Sequence, residues 1–209
     1  MSPRIQEKFH TPGDDTDPPW MPLVKRAKAG SRSAFSELVD LFQDDIFKMV
    51  FYRTRTQMDA EDITQEVFMQ AFRKLSGLKK VERFKSWLFS IAINRVRDFS
   101  RKKRFRALFK MPDGTDELKT AESQINDNPE PVNELMRQDF WKQIGLILDK
   151  LPRMEREVFL LRFMDHLNIK EISRALKKSE STIKTHLYRA LVKFRKSSTT
   201  LQILREEMT

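Results

Sequence analysis

The apolar residues of this chain recur at intervals of three and four almost wherever they occur, and that spacing restricts the fold to packed helices. From Ser31 onward Phe35, Leu38, Val39, Phe42, Ile46, Met49 and Val50 make one stripe of a long amphipathic helix. A second stripe holds Ile63, Val67, Ala71, Phe72 and Leu75. Its start is predicted at Asp59, as N-cap with Asp62 three residues on and Met58 and Ile63 as a hydrophobic staple; its stop is predicted at Gly77. A third puts Phe84, Trp87, Leu88, Ile91, Val96 and Phe99 on one side of a helix. That helix runs out into Arg95, Arg97, Arg101, Lys102, Lys103, Arg104 and Arg106, offset only by Asp98. With only 5 glycines in 209 residues, a strand-and-turn architecture is poorly served.

The breaks between stripes divide the chain. Residues 1–20, rich in proline and aspartate, read as a disordered leader. Residues 21–106 read as a three- or four-helix domain. Residues 107–131 carry Pro112, Gly114, scattered acids and Pro129 and Pro131, the composition of an extended acidic linker. Residues 132–196 form a second helical domain whose stripe runs through Phe140, Ile144, Ile147, Leu148 and Leu151, with Pro152 as punctuation and an apolar run from Val158 to Phe163. Residues 197–209 read as a frayed or partly helical tail. The predicted fold is therefore all-α: two small helical domains joined by an extended linker.

The sharpest local pattern begins at Asn168, an N-cap with Glu171 at N3 and Leu167 placed to staple Ile172. A short helix, Ile169 to Leu176, turns at Lys177 and Lys178. Ser179 then caps a second helix, with Thr182 at N3, that buries Ile183, Leu187, Ala190, Leu191 and Phe194. The other face of that helix carries Ser181, Lys184, Thr185, Tyr188 and Arg189. This is the form of a helix-turn-helix whose second helix fits a major groove. Arg189 suits a bidentate contact to guanine; Ser181, Thr182 and Thr185 suit phosphates or thymine methyls. The spacing alone also describes an ordinary helical hairpin with a solvated polar face. His186, between stripe and face, reads as a surface residue.

Charge narrows the partners. A formal net charge of +10 favours an acidic partner, nucleic acid or an anionic surface. The basic end of the third helix suits phosphates, with affinity falling steeply as salt rises. Asn94 sits among those cations and offers a donor and an acceptor to a base edge, although a solvated helix residue fits the same position. Phe84 and Trp87 invite base stacking, but their place on the apolar stripe assigns Trp87 to the core. The helix beginning near Asp59 has an acidic first turn and a mixed polar face, which suits a protein partner better than DNA. The absence of cysteine excludes disulfides and thiolate metal sites. No apolar run reaches the roughly 18 residues of a spanning helix, so a soluble, cytoplasmic protein without membrane insertion is expected. Scattered histidines and the lack of a glycine-rich phosphate loop weigh against a nuclease or recombinase, and no catalytic group, metal or cofactor is expected. A stand-alone helix-turn-helix regulator, binding duplex DNA as a dimer, is the closer rival; no dimerisation helix is evident for it.

Three stretches taken together resemble the extracytoplasmic-function (ECF) group of bacterial sigma factors. They are Asp59 to Phe68 (DAEDITQEVF), Phe84 to Asn94 (FKSWLFSIAIN) with Arg97 and Asp98, and Leu151 to Arg162 followed by Glu171, Ile172 and Ser181 to Lys184. With the Ala34–Phe35 helix, the resemblance extends from about Leu23 to Lys196. It implies a factor without chemistry of its own that binds core RNA polymerase, through the clamp coiled coil and the flap, and directs initiation at −10 and −35 promoter elements. By position, Asp62, Gln65 and Glu66 would face the polymerase. Asn94 would line the pocket for a flipped −10 base beside a specificity loop of Lys79, Lys80 and Arg83. Arg97, Arg101, Lys102, Lys103 and Arg104 would hold phosphates, and Ser181, Thr182, Lys184, Thr185, Tyr188 and Arg189 would meet the −35 element. The linker would thread towards the RNA exit path. An anti-sigma protein is a further candidate partner, because many members of the group are held by one. His166 and Lys177 stand where the group commonly has glycine, and the loop before Phe84 lacks a glycine and is unusually basic.

Overall fold

The computed structural model describes residues 18–109 and 145–206, and every regular element among them is helical. Four helices form the N-terminal unit: α1 (Met21–Lys28), α2 (Arg32–Thr54), α3 (Gln57–Lys74) and α4 (Phe84–Phe109). Two short 3₁₀ turns, Leu75–Gly77 and Val81–Arg83, carry the chain from α3 to α4. The C-terminal unit opens with a helical turn at 145–149, followed by α5 (Arg153–Phe163), α6 (Ile169–Leu176) and α7 (Glu180–Glu206). The expected 107–131 linker falls outside the described residues from 110 on, and α4 itself continues through Phe109. The Phe140 and Ile144 positions of the second domain's stripe also lie outside them.

Local chemistry sets the boundaries. Ser31 caps α2 by accepting a hydrogen bond from Ala34 N at 3.3 Å. Arg55, in the left-handed region at φ 61°, ends α2 and makes a two-residue turn with Thr56. Helix α3 therefore begins at Gln57, ahead of the expected Asp59 cap. Asp59 lies inside the first turn, where its carboxylate accepts from Thr56 Oγ1. The expected staple is also absent, since Met58 is 72% exposed. Helix α1, which the apolar spacing did not reveal, starts with a proline in its first turn and buries Met21 and Val24. Trp20, assigned above to the leader, is buried instead: its ring lies 5.9 Å from Phe84 and 6.2 Å from Phe42.

The core is continuous across both units. Leu38, Phe42, Ile46, Met49 and Val50 of α2 meet Ile63, Val67 and Ala71 of α3 and Phe84 and Leu88 of α4; Val158, Leu161, Leu167, Ile172 and Ile183 extend the same cluster. A smaller cluster of Leu148, Leu151, Phe159, Leu160 and Ala190 ties α5 to α7. The single apolar side expected for α4 is too narrow. Residues 84–86, 88, 89, 91–93 and 96 are all buried, because α2 and α3 cover one flank of the helix and α6 another. In the C-terminal unit, Leu191 is 39% exposed and leaves the predicted stripe, while Leu187 and Phe194 are half-buried.

Candidate nucleic-acid interface and docking groove

The helix-turn-helix is held by caps at both of its helix starts. Asn168 Oδ1 accepts from Glu171 N at 2.9 Å while Glu171 Oε2 accepts from Asn168 N at 2.8 Å, a reciprocal capping box. Lys177 ends α6 in the left-handed region at φ 54°, and His166 sits in the same region at φ 52° before α6. Both positions commonly held by glycine thus keep the turn geometry that glycine favours. Ser179 Oγ accepts from Thr182 N at 3.2 Å and opens α7. Ile183 and Ala190 anchor the helix, and its outer face is free: Ser181, Lys184, Thr185, Tyr188 and Arg189 are all exposed, Tyr188 to 68%. Thr182 is half-buried and its hydroxyl lies 2.8 Å from Ser179 Oγ, so it serves the cap more than the face. Thr185 Oγ1 donates to Ser181 O at 2.9 Å, which leaves its oxygen lone pairs and methyl outward. His186 is half-buried, with Nδ1 making no hydrogen bond within the protein.

On the N-terminal unit, Lys79, Lys80 and Arg83 project from the connection between α3 and α4. Lys28 Nζ pins this connection by donating to Leu78 O at 2.6 Å, and Ser86 Oγ donates to Arg83 O at 3.0 Å. Asn94 is exposed on α4, beyond the buried Trp20–Phe84 core. Along the same helix Arg101, Lys102, Lys103 and Arg104 are exposed and Arg97 half-buried. Arg101 shares its charge with Asp98 at 3.1 Å, and Lys103 Nζ lies 5.9 Å from the Phe99 ring centre. Trp87 is half-buried against Phe84, their ring centres 5.8 Å apart, which fits packing better than a free stacking platform. One basic side chain is diverted: Arg95 binds Gln70 Oε1 at 2.7 Å and Glu66 at 3.5 Å, tying α4 back to α3.

A third surface lies between α2 and α3. An open groove of about 760 Å³ is lined by Phe35, Val39, Phe47, Phe68, Met69 and Phe72, with Asp44, Glu61 and Gln65 among its polar walls. Phe72 is 52% exposed and rests edge-on against Phe35, ring centres 5.0 Å apart. Thr64 Oγ1, also on the lining, is buried and makes no hydrogen bond within the protein. Of the three predicted polymerase contacts, Gln65 lines this groove, while Asp62 and Glu66 are exposed on the same helix. The aromatic lining was missed as a surface because periodicity assigned Phe35, Val39 and Phe72 to the core. The residue types give no sign that no neighbour among the described residues covers them.

These features define a class first: an all-helical, helix-turn-helix protein with an exposed recognition face, a basic helix on a separate unit, and an apolar groove rimmed by acids. Residues 38–106 match the family model Sigma-70 region 2, and residues 141–194 match the model Sigma-70, region 4. The ECF RNA polymerase sigma factor SigX of Bacillus subtilis is 30% identical over 178 residues, covering 83% of this chain and 87% of that protein. SigW of the same organism is 29% identical over 83% of this chain and 93% of its own length. BldN of Streptomyces coelicolor is 34% identical over 82% of this chain, and the match spans 62% of that longer protein. The fold is similar to that of CnrH, solved in complex with the cytosolic domain of CnrY, with a TM-score of 0.62 at 22% identity over 88% of this chain and 97% of that one. The chain belongs to the sigma-70 family, in its ECF group. Among the described residues no helix is long and apolar enough to cross a membrane.

Proposed function

We propose that this chain binds core RNA polymerase through the α2–α3 groove and directs it to promoters with −10 and −35 elements. The observation that carries the reading is the separation of three surfaces on one helical chain. The recognition face of α7 and the basic outer end of α4 are free for DNA, while the acid-rimmed groove suits a protein.

In this reading Asp62, Gln65 and Glu66 meet the clamp coiled coil beside the exposed Phe72 and Met69, so that apolar burial supplies affinity and the acids supply orientation. Asn94 reads an unpaired −10 base beside Lys79, Lys80 and Arg83. Arg97, Arg101, Lys102, Lys103 and Arg104 neutralise neighbouring phosphates. Ser181, Lys184, Thr185, Tyr188 and Arg189 face the −35 major groove, with Thr182 shaping the start of their helix. Residues 21–106 and 132–196 act as the two reading units, joined through 107–131, and the C-terminal unit also meets the polymerase flap. Bond formation belongs to the polymerase; the chain contributes site choice and strand opening in the cytoplasm. An anti-sigma protein fits as a negative partner, in keeping with the complex solved for the sigma factor RpoE with the anti-sigma factor NepR of Bartonella quintana.

Footprinting tests the reading. The chain with core polymerase should protect two segments centred about 25 base pairs apart, and the chain alone should protect neither strongly, because each unit by itself binds weakly. Strong protection of a two-fold site by the chain alone would favour the stand-alone regulator.

A further inference from the structure

The connection that carries Lys79, Lys80 and Arg83 is fastened at both of its ends by α1. This helix has eight residues and measures about 12 Å from end to end. At its C-terminal end Lys28, half-buried, donates from Nζ to Leu78 O at 2.6 Å. At its N-terminal end Trp20 is buried, its ring 5.9 Å from that of Phe84, the first residue of α4. Leu78 and Phe84 bound the connection, and α1 packs on the 3₁₀ turns before and after Leu78.

Bonds within the connection itself are local. Leu78 N donates to Leu75 O at 3.0 Å, and Arg83 N to Lys80 O at 3.1 Å. Each closes a single 3₁₀ turn, whose hydrogen-bond geometry is poorer than that of an α-helix. Leu78 and Val81 turn towards the core, whereas Lys79, Lys80, Glu82 and Arg83 are exposed. The three outward cations repel one another, and Glu82 is the one acid in the stretch. Lys28 acts against this tendency to spread. Its neighbours Lys25 and Arg26 are exposed, but its own ammonium is turned onto a backbone carbonyl of the connection. A charge-assisted bond of this kind favours the held form over a released one by a factor of roughly ten or more.

We propose that Lys28 is a positioning residue for −10 recognition. With Trp20 fixing the far end, it holds the connection from Leu78 to Phe84 in place relative to Asn94, so that the base preference of the loop depends on α1. The role in recognition rests on the promoter reading above; the fastening does not. Lys28 acts through Leu78 and need not touch DNA. Phe84 also opens the helix that presents Asn94, so α1 sets both the loop and the start of that helix.

Lys28→Met removes the donor and keeps an unbranched apolar stem, so the fold should persist by circular dichroism. Two measurements then separate holding from reading. On the full chain alone, amide hydrogen exchange at Leu78 and Arg83 should quicken about tenfold, while Glu171 in the capping box of α6 keeps the parent rate. On the complex with core polymerase, competition among single-base −10 variants of one chain-dependent promoter should show narrowed discrimination at one or two adjacent positions. A base contact discriminates by about 5- to 150-fold, and most of one such factor should go. Discrimination at −35 and affinity for core should keep their parent values. A Lys79→Ala/Lys80→Ala/Arg83→Ala chain, measured on the same variants, marks the positions that the loop reads.

Unchanged exchange at Leu78 and Arg83 overturns the proposal. So does a parent base profile in Lys28→Met when the triple loop variant alters that profile. A uniform loss across all variants, with the salt slope lower by about one, would make Lys28 a direct phosphate contact and overturns it too. If Lys28→Met loses its helical signal, Lys28→Ala takes its place; loss of fold there as well overturns the proposal, because a residue that only places a loop does not determine the domain. A flat profile from the triple loop variant would overturn the loop's part in the promoter reading, and the recognition role of Lys28 with it. The exchange rates, obtained without DNA or polymerase, would distinguish that failure from a loop that Lys28 never held.

Discussion

Truncating Phe72 to alanine tests whether the α2–α3 groove is where polymerase docks. Phe72 is 52% exposed, so about half of its side chain, on the order of 100 Å², remains for a partner to cover. At about 25 cal/mol per Å² that surface contributes roughly 2.5 kcal/mol on docking; an alanine methyl recovers a little, leaving a loss of about 2 kcal/mol. The dissociation constant for core polymerase should therefore rise about 30-fold. The free chain pays separately, because the edge-on contact with Phe35 is also lost, a further ~1 kcal/mol of fold stability. Titration of fluorescently labelled chain with core polymerase, followed by anisotropy, separates the two effects, provided circular dichroism shows the variant folded at the assay temperature. Tyr188→Ala is the control: an aromatic of still greater exposure on the recognition face, whose loss should leave core affinity unchanged. A folded Phe72→Ala chain binding core within about twofold of the parent would refute the docking assignment and the burial estimate with it.

Three further outcomes follow from other surfaces. Asn94→Ala should slow open-complex formation at a cognate promoter, read by permanganate reactivity of unpaired thymines, with core binding intact; equal loss of core binding would mean a folding defect instead. Arg189→Ala should weaken promoter binding by roughly 1–3 kcal/mol and relax preference at one −35 base pair, measured by competition among single-base variants; a uniform loss across all variants would assign Arg189 to a phosphate. Lys177→Gly removes a side chain from the left-handed region at φ 54° and should stabilise the fold by up to ~1 kcal/mol, raising the melting temperature by about 2–4 °C; a lower melting temperature would contradict the strain argument.

What could be read from the residues was whatever depended on near neighbours in the chain. Helix α6 matches its expected bounds because Asn168 and Glu171 cap one end while Lys177 and Lys178 turn the other, all within a short stretch. The exposed face of α7 was legible for the same reason. The start of α3 was misjudged because Asp59 looks like a cap, and only the left-handed Arg55 fixes the chain into a turn early enough to begin the helix at Gln57. Helix α1 escaped notice because a proline, few apolar residues and eight positions make a weak periodic signal.

Long-range packing was not legible at all. Phe89 and Ile93 are buried as deeply as the predicted stripe of α4 because that helix is enclosed from several sides, one of them by α6, roughly 80 positions away in the chain. Phe35 and Phe72 fit a core stripe equally well, yet they border an open groove because nothing among the described residues covers them. Arg53 looks like any basic residue near a helix end, yet its guanidinium donates to Asp165 and Glu157, over a hundred positions on. Periodicity identifies which residues share a face, and only the tertiary arrangement decides what that face meets.

The most direct test of the central claim is run-off transcription with purified core polymerase on a pool of genomic fragments from the source organism, with and without the chain. The account predicts transcripts that require the chain, begin at defined positions and share two upstream elements about 25 base pairs apart. Duplex binding by the chain alone, with no transcript that depends on it, would contradict the account and leave a helix-turn-helix regulator in its place.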